Sequence, residues 1–371
     1  MKDLVNDYDL LDNLYNTYQL KIKILKYKPD IVVIGSEKFL ELGIPDILLK
    51  NKIKCVGPIK NLADIELSKT FARNLLTFHN LEKYNLKFEV IYNYNEQQLE
   101  ELFERYSNDF VIKDDGLCSG KGVKLFSNNN FKNAFGYVKQ ILENSNDLIT
   151  DSKKCLIEEK LYGEEYVLMS FCDGKNIKHM PVVRDFKKIK LGSDINTGSM
   201  GCIIQSDHSL PYLSKEDIKE SQELNKRVME LLGKTNSGIE YQGILYGSFM
   251  KTEQGIKLIE YNARFGDPEC LVVLEVLKTD LGLIFQSIVN GNLDTIDIEF
   301  ENKNVICKYL VPPGYPDFPN KNIIYNLAEN NYNLFHAGLK FENEKYWLTG
   351  SRTLAICKKG DSMEEVYQEI E

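Results

Sequence analysis

The sequence has few of the residues that build metal centres and disulfide frameworks. Its 371 residues include only four histidines, widely spaced, so a histidine-based metal site is not expected. The eight cysteines are scattered and form no CxxC or CxxH pair, which favours reduced thiols in a cytoplasmic protein over a zinc site. At about 150 residues per domain, the length allows two or three domains with ample core.

Long apolar runs and basic clusters are also absent. No uncharged apolar run approaches the roughly 18 residues of a membrane span. The N-terminal sequence MKDLVNDYDLL is too acidic for a signal peptide. With 46 basic and 55 acidic residues the formal charge is −9, and an acidic chain without a basic run is a poor candidate for a general nucleic-acid binder. We therefore expect small-molecule partners, and neither nucleic acid nor membrane.

The first 28 residues have a helical pattern that ends before Pro29. A helix laid on the domain core is the favoured interpretation. A dimer seam is the alternative because the same spacing suits a short coiled coil, so the oligomeric state is left as monomer or homodimer. Seven apolar residues at spacings of four and three form the stripe: Leu4, Tyr8, Leu11, Tyr15, Tyr18, Ile22 and Leu25.

A small parallel unit follows this helix. Residues 31–35 predict a buried strand and a glycine turn, 40–50 a helix, and 53–56 a second buried strand. Strand, helix and strand at this spacing indicate a βαβ unit with two clear strands. The remaining pattern predicts helices over 62–76, 214–232 and 271–289, strands over 110–113, 155–159 and 165–172, and a hairpin of 243–250 with 256–261.

The first motif with chemistry is KDDGLCSGKGV, which runs from Lys113 to Val123. Its glycines let backbone N–H groups approach an anion closely, and its lysines add mobile positive charge. It is not a Walker loop because Gly122 stands where that motif requires Ser or Thr. An incidental glycine-rich hairpin is the alternative.

The second motif, IEEKLYGEE over 157–165, places four carboxylates within eight residues. A solvated turn would look similar. The functional interpretation is a nucleotide hinge. In it, backbone groups of Glu159 and Leu161 face adenine, and a carboxylate from Glu164 or Glu165 holds the ribose hydroxyls.

The third motif is LIEYNARFGDPE over 258–269. Glu260 and Asn262 are two residues apart on a predicted strand, so both side chains lie on one face. A carboxylate and an amide oxygen together suit Mg²⁺, and Arg264 continues the alternation at a place suited to phosphate. An exposed polar strand edge is the alternative.

A fourth segment, residues 185–201, is rich in lysine and glycine and predicts a mobile loop. A flexible surface loop would have the same composition. The chain shows no Ser/His/Asp or Cys/His arrangement for covalent catalysis.

In this order, the motifs resemble those of the ATP-grasp enzymes, and within them the phosphoribosylamine–glycine ligase family. The resemblance covers residues 30–371, and NARFGDPE over 262–269 is its most specific stretch. It implies an α/β (α+β) protein with an ATP-grasp fold, a truncated N-terminal parallel βαβ domain and a small C-terminal β-rich domain. The expected segments are 1–60, 61–295 and 296–371. The family's glycine-rich N-terminal substrate loop has no counterpart in the sequence.

The resemblance also implies residue roles. ATP phosphates would be contacted and covered by Lys69, Lys113, Gly120, Lys121 and Gly122. Adenosine would be lined by Glu158, Glu159, Leu161 and Glu165. The metal, Mg²⁺ or Mn²⁺, would be held by Glu260 and Asn262. The reacting substrates would face Glu37, Asp185, Asn196, Thr197, Gly198, Arg264, Asp267 and Arg352, with Lys113, Arg264 and Asp267 catalytic.

The implied chemistry is activation of a carboxylate as an acyl phosphate by the γ-phosphate of ATP. An amine then displaces phosphate and leaves an amide and ADP, so catalysis rests on positioning and charge neutralisation. One hypothesis is a ligase of phosphoribosylamine and glycine in purine biosynthesis. A second is an ATP-grasp ligase that joins another carboxylate and amine in a sugar-modification or secondary-metabolite pathway. A third is a non-catalytic relative that binds nucleotide or a partner. It is disfavoured by five intact site residues: Lys69, Lys113, Glu260, Asn262 and Arg264.

Overall fold

In a computed structural model the chain alternates helices and short strands. The model describes residues 16–107, 109–117, 122–127, 131–143, 154–189, 197–235, 238–321, 324–325, 333–342 and 345–371. The α-helices in these ranges are α1 (Thr17–Tyr27), α2 (Glu37–Glu41), α3 (Ile44–Lys50), α4 (Lys60–Leu67), α5 (Lys69–Phe78), α6 (Glu96–Arg105), α7 (Phe131–Glu143), α8 (Lys215–Thr235), α9 (Glu269–Val276), α10 (Leu281–Asn290) and α11 (Met363–Ile370). None of these described helices has the length and apolarity that a membrane span needs.

The strands form five separate sheets within the described residues. The first nine are β1 (Ile31–Val33), β2 (Lys54–Val56), β3 (Phe88–Ile91), β4 (Phe110–Asp114), β5 (Val123–Phe126), β6 (Cys155–Glu159), β7 (Glu164–Asp173), β8 (Ile177–His179) and β9 (Arg184–Asp185). The others are β10 (Gly201–Ile204), β11 (Gln242–Thr252), β12 (Gly255–Asn262), β13 (Asn304–Leu310), β14 (Ile324–Tyr325), β15 (Asn333–His336), β16 (Leu339–Glu342), β17 (Lys345–Leu348) and β18 (Leu354–Gly360).

The N-terminal unit contains the expected parallel pair. Strands β1 and β2 are parallel, with Ile31 opposite Lys54 and Val33 opposite Val56. The single helix predicted over 40–50 is instead two helices, α2 and α3. Gly43 separates them in a left-handed conformation with φ of 65°, which glycine adopts without steric cost.

Helix α1 shows a different exposed face from the one expected. Residues 1–15 lie outside the described part of the chain, so their share of the apolar stripe is not described. In the described part, Tyr18 is 71% and Ile22 50% exposed, whereas Leu20 and Ile24 pack against the core. The prediction that the stripe lies on the core is therefore wrong here. Both faces of α1 carry apolar residues, so spacing alone could not decide which face packs.

A small antiparallel sheet forms one wall of a cleft. Its strand order is β3-β6-β4-β5, and helices α6 and α7 cover one face. The core between them is rich in aromatic rings, with Phe103 stacked on Phe110 at 4.5 Å between ring centroids. These contacts make the small sheet a rigid support for the glycine-rich loop that leaves β4.

A second antiparallel sheet, in the order β12-β11-β7-β8, forms the opposite wall. Strands β6 and β7 are consecutive in the chain and separated by four residues, but they belong to two different sheets. Residues 160–163 therefore connect the two walls. The predicted hairpin of β11 and β12 is confirmed, with Ser248 opposite Glu260 and Tyr246 opposite Asn262.

The C-terminal strands complete a five-stranded sheet in the order β15-β18-β13-β10-β9. Helices α9 and α11 both pack against its strands β13 and β18, and α9 also packs against β10. The segments 1–60, 61–295 and 296–371 remain our proposed domains. The sheet crosses the last boundary because β9 and β10 precede residue 296, so the segments share core rather than hang on linkers.

Two predicted helices are each split by a capping residue. The helix expected over 62–76 is α4 and α5, with Ser68 between them in an extended conformation. The Ser68 Oγ accepts a hydrogen bond from the Phe71 backbone N–H and so caps α5. The helix expected over 271–289 is α9 and α10, and Asp280 caps the second through the Leu283 N–H. Side-chain capping outweighs the continuous apolar pattern at both places.

A polar network lies behind the second sheet. Ser170 Oγ and His179 Nδ1 are 2.9 Å apart, and Asn225 donates to the same hydroxyl over 3.2 Å. The Tyr261 hydroxyl donates to Asn225 Oδ1 over 3.0 Å. Burial, helped by the charge of Lys226, lowers the pKa of His179 to about 4. The imidazole is therefore neutral in the folded chain at neutral pH.

We predict that His179 contributes to acid destabilisation. Below its ordinary pKa of 6.5, the unfolded chain binds a proton that the folded chain takes up only near pH 4, so stability falls as the pH drops through this window. In urea titrations at pH 7 and pH 4.5, His179→Gln should lose about 2 kcal/mol less stability than wild type. The exposed His336→Gln is the matched control and should follow wild type. Equal acid sensitivity of His179→Gln would contradict the prediction.

Candidate active site

A cleft of about 660 Å³ opens between the two antiparallel sheets. It collects residues from far apart in the sequence, from the N-terminal unit to the C-terminal sheet. Predicted site residues Gly120, Lys121 and Asn196 lie outside the described part of the chain. The other sixteen all line this cleft: Glu37, Lys69, Lys113, Gly122, Glu158, Glu159, Leu161, Glu165, Asp185, Thr197, Gly198, Glu260, Asn262, Arg264, Asp267 and Arg352.

One end of the cleft is built on a buried carboxylate shared by two cations. Glu158, on β6, is 1% exposed. Lys113, on β4, approaches its Oε2 at 2.7 Å, and Arg73, on α5, approaches its Oε1 at 2.7 Å. Burial would raise the pKa of Glu158, but Arg73 and Lys113 outweigh it and hold the pKa well below its usual range. The carboxylate is therefore ionised, and Lys113 stands at the cleft wall.

The start of α5 is tied to the glycine-rich loop. Asp115, just after β4, accepts hydrogen bonds from the Ser68 hydroxyl at 2.9 Å and the Thr70 N–H at 2.6 Å. Lys69, the first residue of α5, donates from Nζ to the Gly116 carbonyl at 3.0 Å. An acidic residue at a helix N-terminus is favourable because the exposed N–H groups carry partial positive charge. Asp115 and Gly116 are thus joined to the start of α5 by three hydrogen bonds.

Glu260 and Asn262 share one face of β12, as the alternation predicts. Burial would raise the pKa of Glu260, but the nearby Lys187, Lys113 and Lys69 lower it below its ordinary value. No group of three His, Cys, Asp or Glu residues within the described ranges could hold a metal by itself. An ionised carboxylate beside an amide oxygen still fits Mg²⁺, which usually takes one or two protein ligands and completes its shell with phosphate and water.

Lys187 links the hinge to the opposite side of the cleft. Its Nζ lies 2.9 Å from Glu165, and the carboxylates of Glu165, Asp185 and Glu260 raise its pKa against the effect of burial. Burial and the neighbouring Glu269 raise the pKa of Asp185 to about 7. Burial likewise raises the pKa of Glu66, another residue of the cleft wall, to about 7. The cleft therefore places cations beside carboxylates, two of which have a pKa near neutral.

Arg264 faces the N-terminal unit. Its guanidinium forms ion pairs with Glu37 at 3.2 Å and with Glu66 at 3.1 Å. Glu66 is buried on α4 and also accepts the Ala263 N–H at 2.7 Å. Helix α4 thereby fixes the polypeptide just after β12, where the NARFGDPE stretch enters the cleft.

Arg352 closes the cleft from the C-terminal sheet. It donates to the carbonyls of Gly198 at 2.8 Å and Asp267 at 2.9 Å, and to Asp267 Oδ2 at 2.8 Å. Its guanidinium lies 4.5 Å from the ring centre of Tyr309, whose hydroxyl donates to Asp267 Oδ1 at 2.6 Å. Arg352 thus fixes two loops of the cleft against each other.

The residues of the expected nucleotide hinge, 157–165, also contact other residues of this chain. The Glu159 carboxylate accepts the Lys87 N–H at 2.8 Å, and Glu165 pairs with Lys187. Glu164, the alternative ribose ligand, pairs with Arg184 at 2.8 Å and is not among the residues of the cleft wall. Leu161 lines the cleft between them. Of the two neighbouring carboxylates, Glu165 therefore lines the cleft and Glu164 does not.

Sequence reasoning missed several residues of the cleft wall. Arg73 stands one helical turn after Lys69, so the i, i+4 spacing was a usable signal. Glu66 and Tyr246 also line the cleft, and their positions in a helix and a strand gave no comparable sign. Only the packing of α4 on β12 and the pairing of β11 with β12 bring them there.

Comparison with known proteins assigns the chain to a family. Residues 67–270 match the family described as phosphoribosylglycinamide synthetase, ATP-grasp (A) domain. Phosphoribosylamine–glycine ligase of Methanocaldococcus jannaschii is 40% identical over 355 residues, 92% of this chain and 77% of that protein. The enzyme of that name from Methanobrevibacter smithii is 39% identical over 345 residues, with 91% and 77% covered. The chain spans about three quarters of these relatives.

Solved structures give the same assignment. The crystal structure of phosphoribosylamine–glycine ligase from Thermotoga maritima has a TM-score of 0.76 and 27% identity, covering 94% of this chain and 83% of that one. The biotin carboxylase domain dimer of Hydrogenobacter thermophilus 2-oxoglutarate carboxylase, in complex with MgADP, has a TM-score of 0.72 at 13% identity, covering 98% and 78%. The latter shows the fold alone.

The two sheets and the cleft between them define an ATP-grasp protein. Within that class, the chain belongs to the phosphoribosylamine–glycine ligase family.

We predict that Arg352 acts by holding the cleft loops. Lysine keeps the charge but cannot donate in a fork to Gly198 and Asp267 together, so Arg352→Lys should lower ADP release about tenfold with little change in thermal stability. Steady-state kinetics and thermal unfolding measure the two effects. Arg227→Lys, at an exposed ion pair on α8, is the control. Wild-type turnover in Arg352→Lys would refute the role.

Proposed function

We propose that the chain joins the carboxylate of glycine to the amine of phosphoribosylamine in purine biosynthesis, with conversion of ATP to ADP and phosphate. The observation that carries this function is the convergence of sixteen predicted site residues in one cleft of an ATP-grasp fold. The relatives with about 40% identity carry the name of this activity. The chain is a ligase that forms a C–N bond.

The nucleotide end of the cleft follows from its charges. ATP is the co-substrate and Mg²⁺ the metal, which supplies charge neutralisation on the phosphates. We assign Glu260 and Asn262 as its protein ligands, with Lys69 and Lys113 on the phosphates. Glu158, Glu159, Leu161 and Glu165 would line the adenosine, and the loop through Gly120, Lys121 and Gly122 would cover the phosphates. Their positions in the described cleft wall support this arrangement, apart from Gly120 and Lys121.

The acceptor end of the cleft is assigned to the reacting substrates. Arg264 pairs with Glu37 and Glu66 of the N-terminal helices, and Asp267 accepts from Tyr309 and Arg352. Asp185, on β9 of the C-terminal sheet, lines the same cleft. Glu37, Asn196, Thr197, Gly198 and Arg352 complete the proposed substrate set. Fixed cations and loops held by hydrogen bonds favour catalysis by positioning, because the charged groups need little reorganisation as charge develops.

Assembly and cellular location belong to the same proposal. We infer action in the cytoplasm, which the free state of all seven described cysteines supports. For the oligomeric state, monomer and homodimer remain alternative predictions.

We predict that Glu260→Gln abolishes Mg²⁺-ATP turnover while the fold is retained. The amide keeps the shape of the side chain but removes the charge that faces three lysines and the metal. ADP release should fall by a factor of about 100 or more. Glu253→Gln, in the exposed turn of the same hairpin, should turn over like wild type. Full activity of Glu260→Gln would refute the metal assignment.

The substrate pair is tested by ADP release with phosphoribosylamine generated in place. We expect turnover only when glycine, phosphoribosylamine and Mg²⁺-ATP are all present. A panel of other amino acids and amines is the comparison. Turnover with a different pair, and none with this one, would overturn the proposed substrates and leave the ATP-grasp assignment intact.

A further inference from the structure

Arg73 hydrogen-bonds residues of both cleft walls, although the proposed nucleotide and substrate sites give it no role. It is 2% exposed and lies on α5, outside both sheets. Its guanidinium donates to both oxygens of Glu158 at 2.7 and 3.2 Å, to the Leu258 carbonyl at 2.9 Å, and to the Ile259 carbonyl at 2.7 Å. A fifth contact joins it to Asn85 Oδ1 at 3.3 Å.

These acceptors lie on opposite walls of the cleft. Glu158 belongs to β6 of the small sheet, whereas Leu258 and Ile259 belong to β12 of the second sheet. The two carbonyls come immediately before Glu260, the first residue of the proposed metal pair. The planar guanidinium of arginine has five N–H donors in a fixed arrangement, so it can bind a carboxylate and two carbonyls at once. The ammonium group of lysine has a single nitrogen and cannot reach all of these acceptors in the same geometry.

The charge of Arg73 also affects how Lys113 and Glu158 neutralise one another. Lys113 shares the Oε2 atom of Glu158 with Arg73 and also approaches the Ile259 carbonyl at 3.5 Å. One buried carboxylate therefore faces two cations, and the trio keeps one net positive charge. Because arginine does not lose its proton, Arg73 neutralises part of Glu158 at every physiological pH. Burial and the charge of Arg73 lower the pKa of Lys113, and Glu158 and Glu260 oppose that shift. Because Arg73 takes up part of the Glu158 charge, the Lys113 ammonium is less neutralised by Glu158 and can pair with a phosphate.

We propose that Arg73 is a positioning residue that sets Lys113 and the start of the Glu260–Asn262 pair for the phosphates of the nucleotide. It acts on them from within the cleft wall, through its hydrogen bonds to Glu158 and to the β12 backbone. This inference rests on the proposed nucleotide site and concerns polyphosphate binding. Glu158 is shared with the proposed adenosine lining, but the Glu159 and Glu165 carboxylates are held by Lys87 and Lys187 instead. Adenine binding at the hinge is therefore expected to depend on Arg73 much less than polyphosphate binding.

The test compares two ligands on two variants. Arg73→Lys keeps the charge and loses the fork, and Arg73→Gln loses both. Calorimetry with Mg²⁺-ADP should show affinity about tenfold weaker for Arg73→Lys and weaker still for Arg73→Gln. Adenosine affinity, followed by ligand-observed NMR, should stay within about twofold of wild type. Arg105→Lys, which pairs with Glu89 on the same small sheet, is the control and should match wild type.

The outcomes separate this inference from the proposed function. Mg²⁺-ADP binding that is unchanged in both variants, or that falls in parallel with adenosine binding, would overturn the role of Arg73. If wild type itself bound no Mg²⁺-ADP, the proposed nucleotide site would fail instead, and the inference with it.

A second variant covers the case in which Arg73→Gln does not fold. Asn85→Ala removes one acceptor of Arg73 and leaves every buried charge in place. It should weaken Mg²⁺-ADP binding about threefold and leave adenosine binding unchanged. Equal effects on both ligands would again count against positioning.

Discussion

A single buried carboxylate sets the geometry of this cleft. Glu158 is almost without solvent, so its charge is tolerable only while Arg73 and Lys113 are paired with it. Those partners come from a helix and from a neighbouring strand, and Arg73 also binds the second sheet. The need to satisfy one buried charge thus fixes the relative positions of three elements that surround the proposed nucleotide end of the cleft.

The same principle recurs at the acceptor end. Arg264 is paired with carboxylates of α2 and α4, and Arg352 joins the C-terminal sheet to the loop at Gly198. Each guanidinium connects segments that are distant in sequence. In both places the ion pair also orients a loop of the cleft, so the contacts that stabilise the fold also shape the site.

Local patterns in the sequence predicted much of the site and some of the fold. Strand alternation placed Glu260 and Asn262 on one face, and strands 155–159 and the β11–β12 hairpin were predicted nearly to the residue. Helix continuity was predicted poorly, because Gly43, Ser68 and Asp280 interrupt runs whose apolar spacing is unbroken. The exposed face of α1 was predicted wrongly because two of its faces are apolar.

The sequence by itself determined the family, the chemical types of the site residues and the period of each strand and helix. These depend on the order and spacing of neighbouring residues, which can be read from the sequence. Only the tertiary structure decided that β6 and β7 belong to different sheets and that Arg73 reaches Glu158 across 85 positions. Long-range pairing of buried charges depends on packing in three dimensions, and no local spacing encodes it.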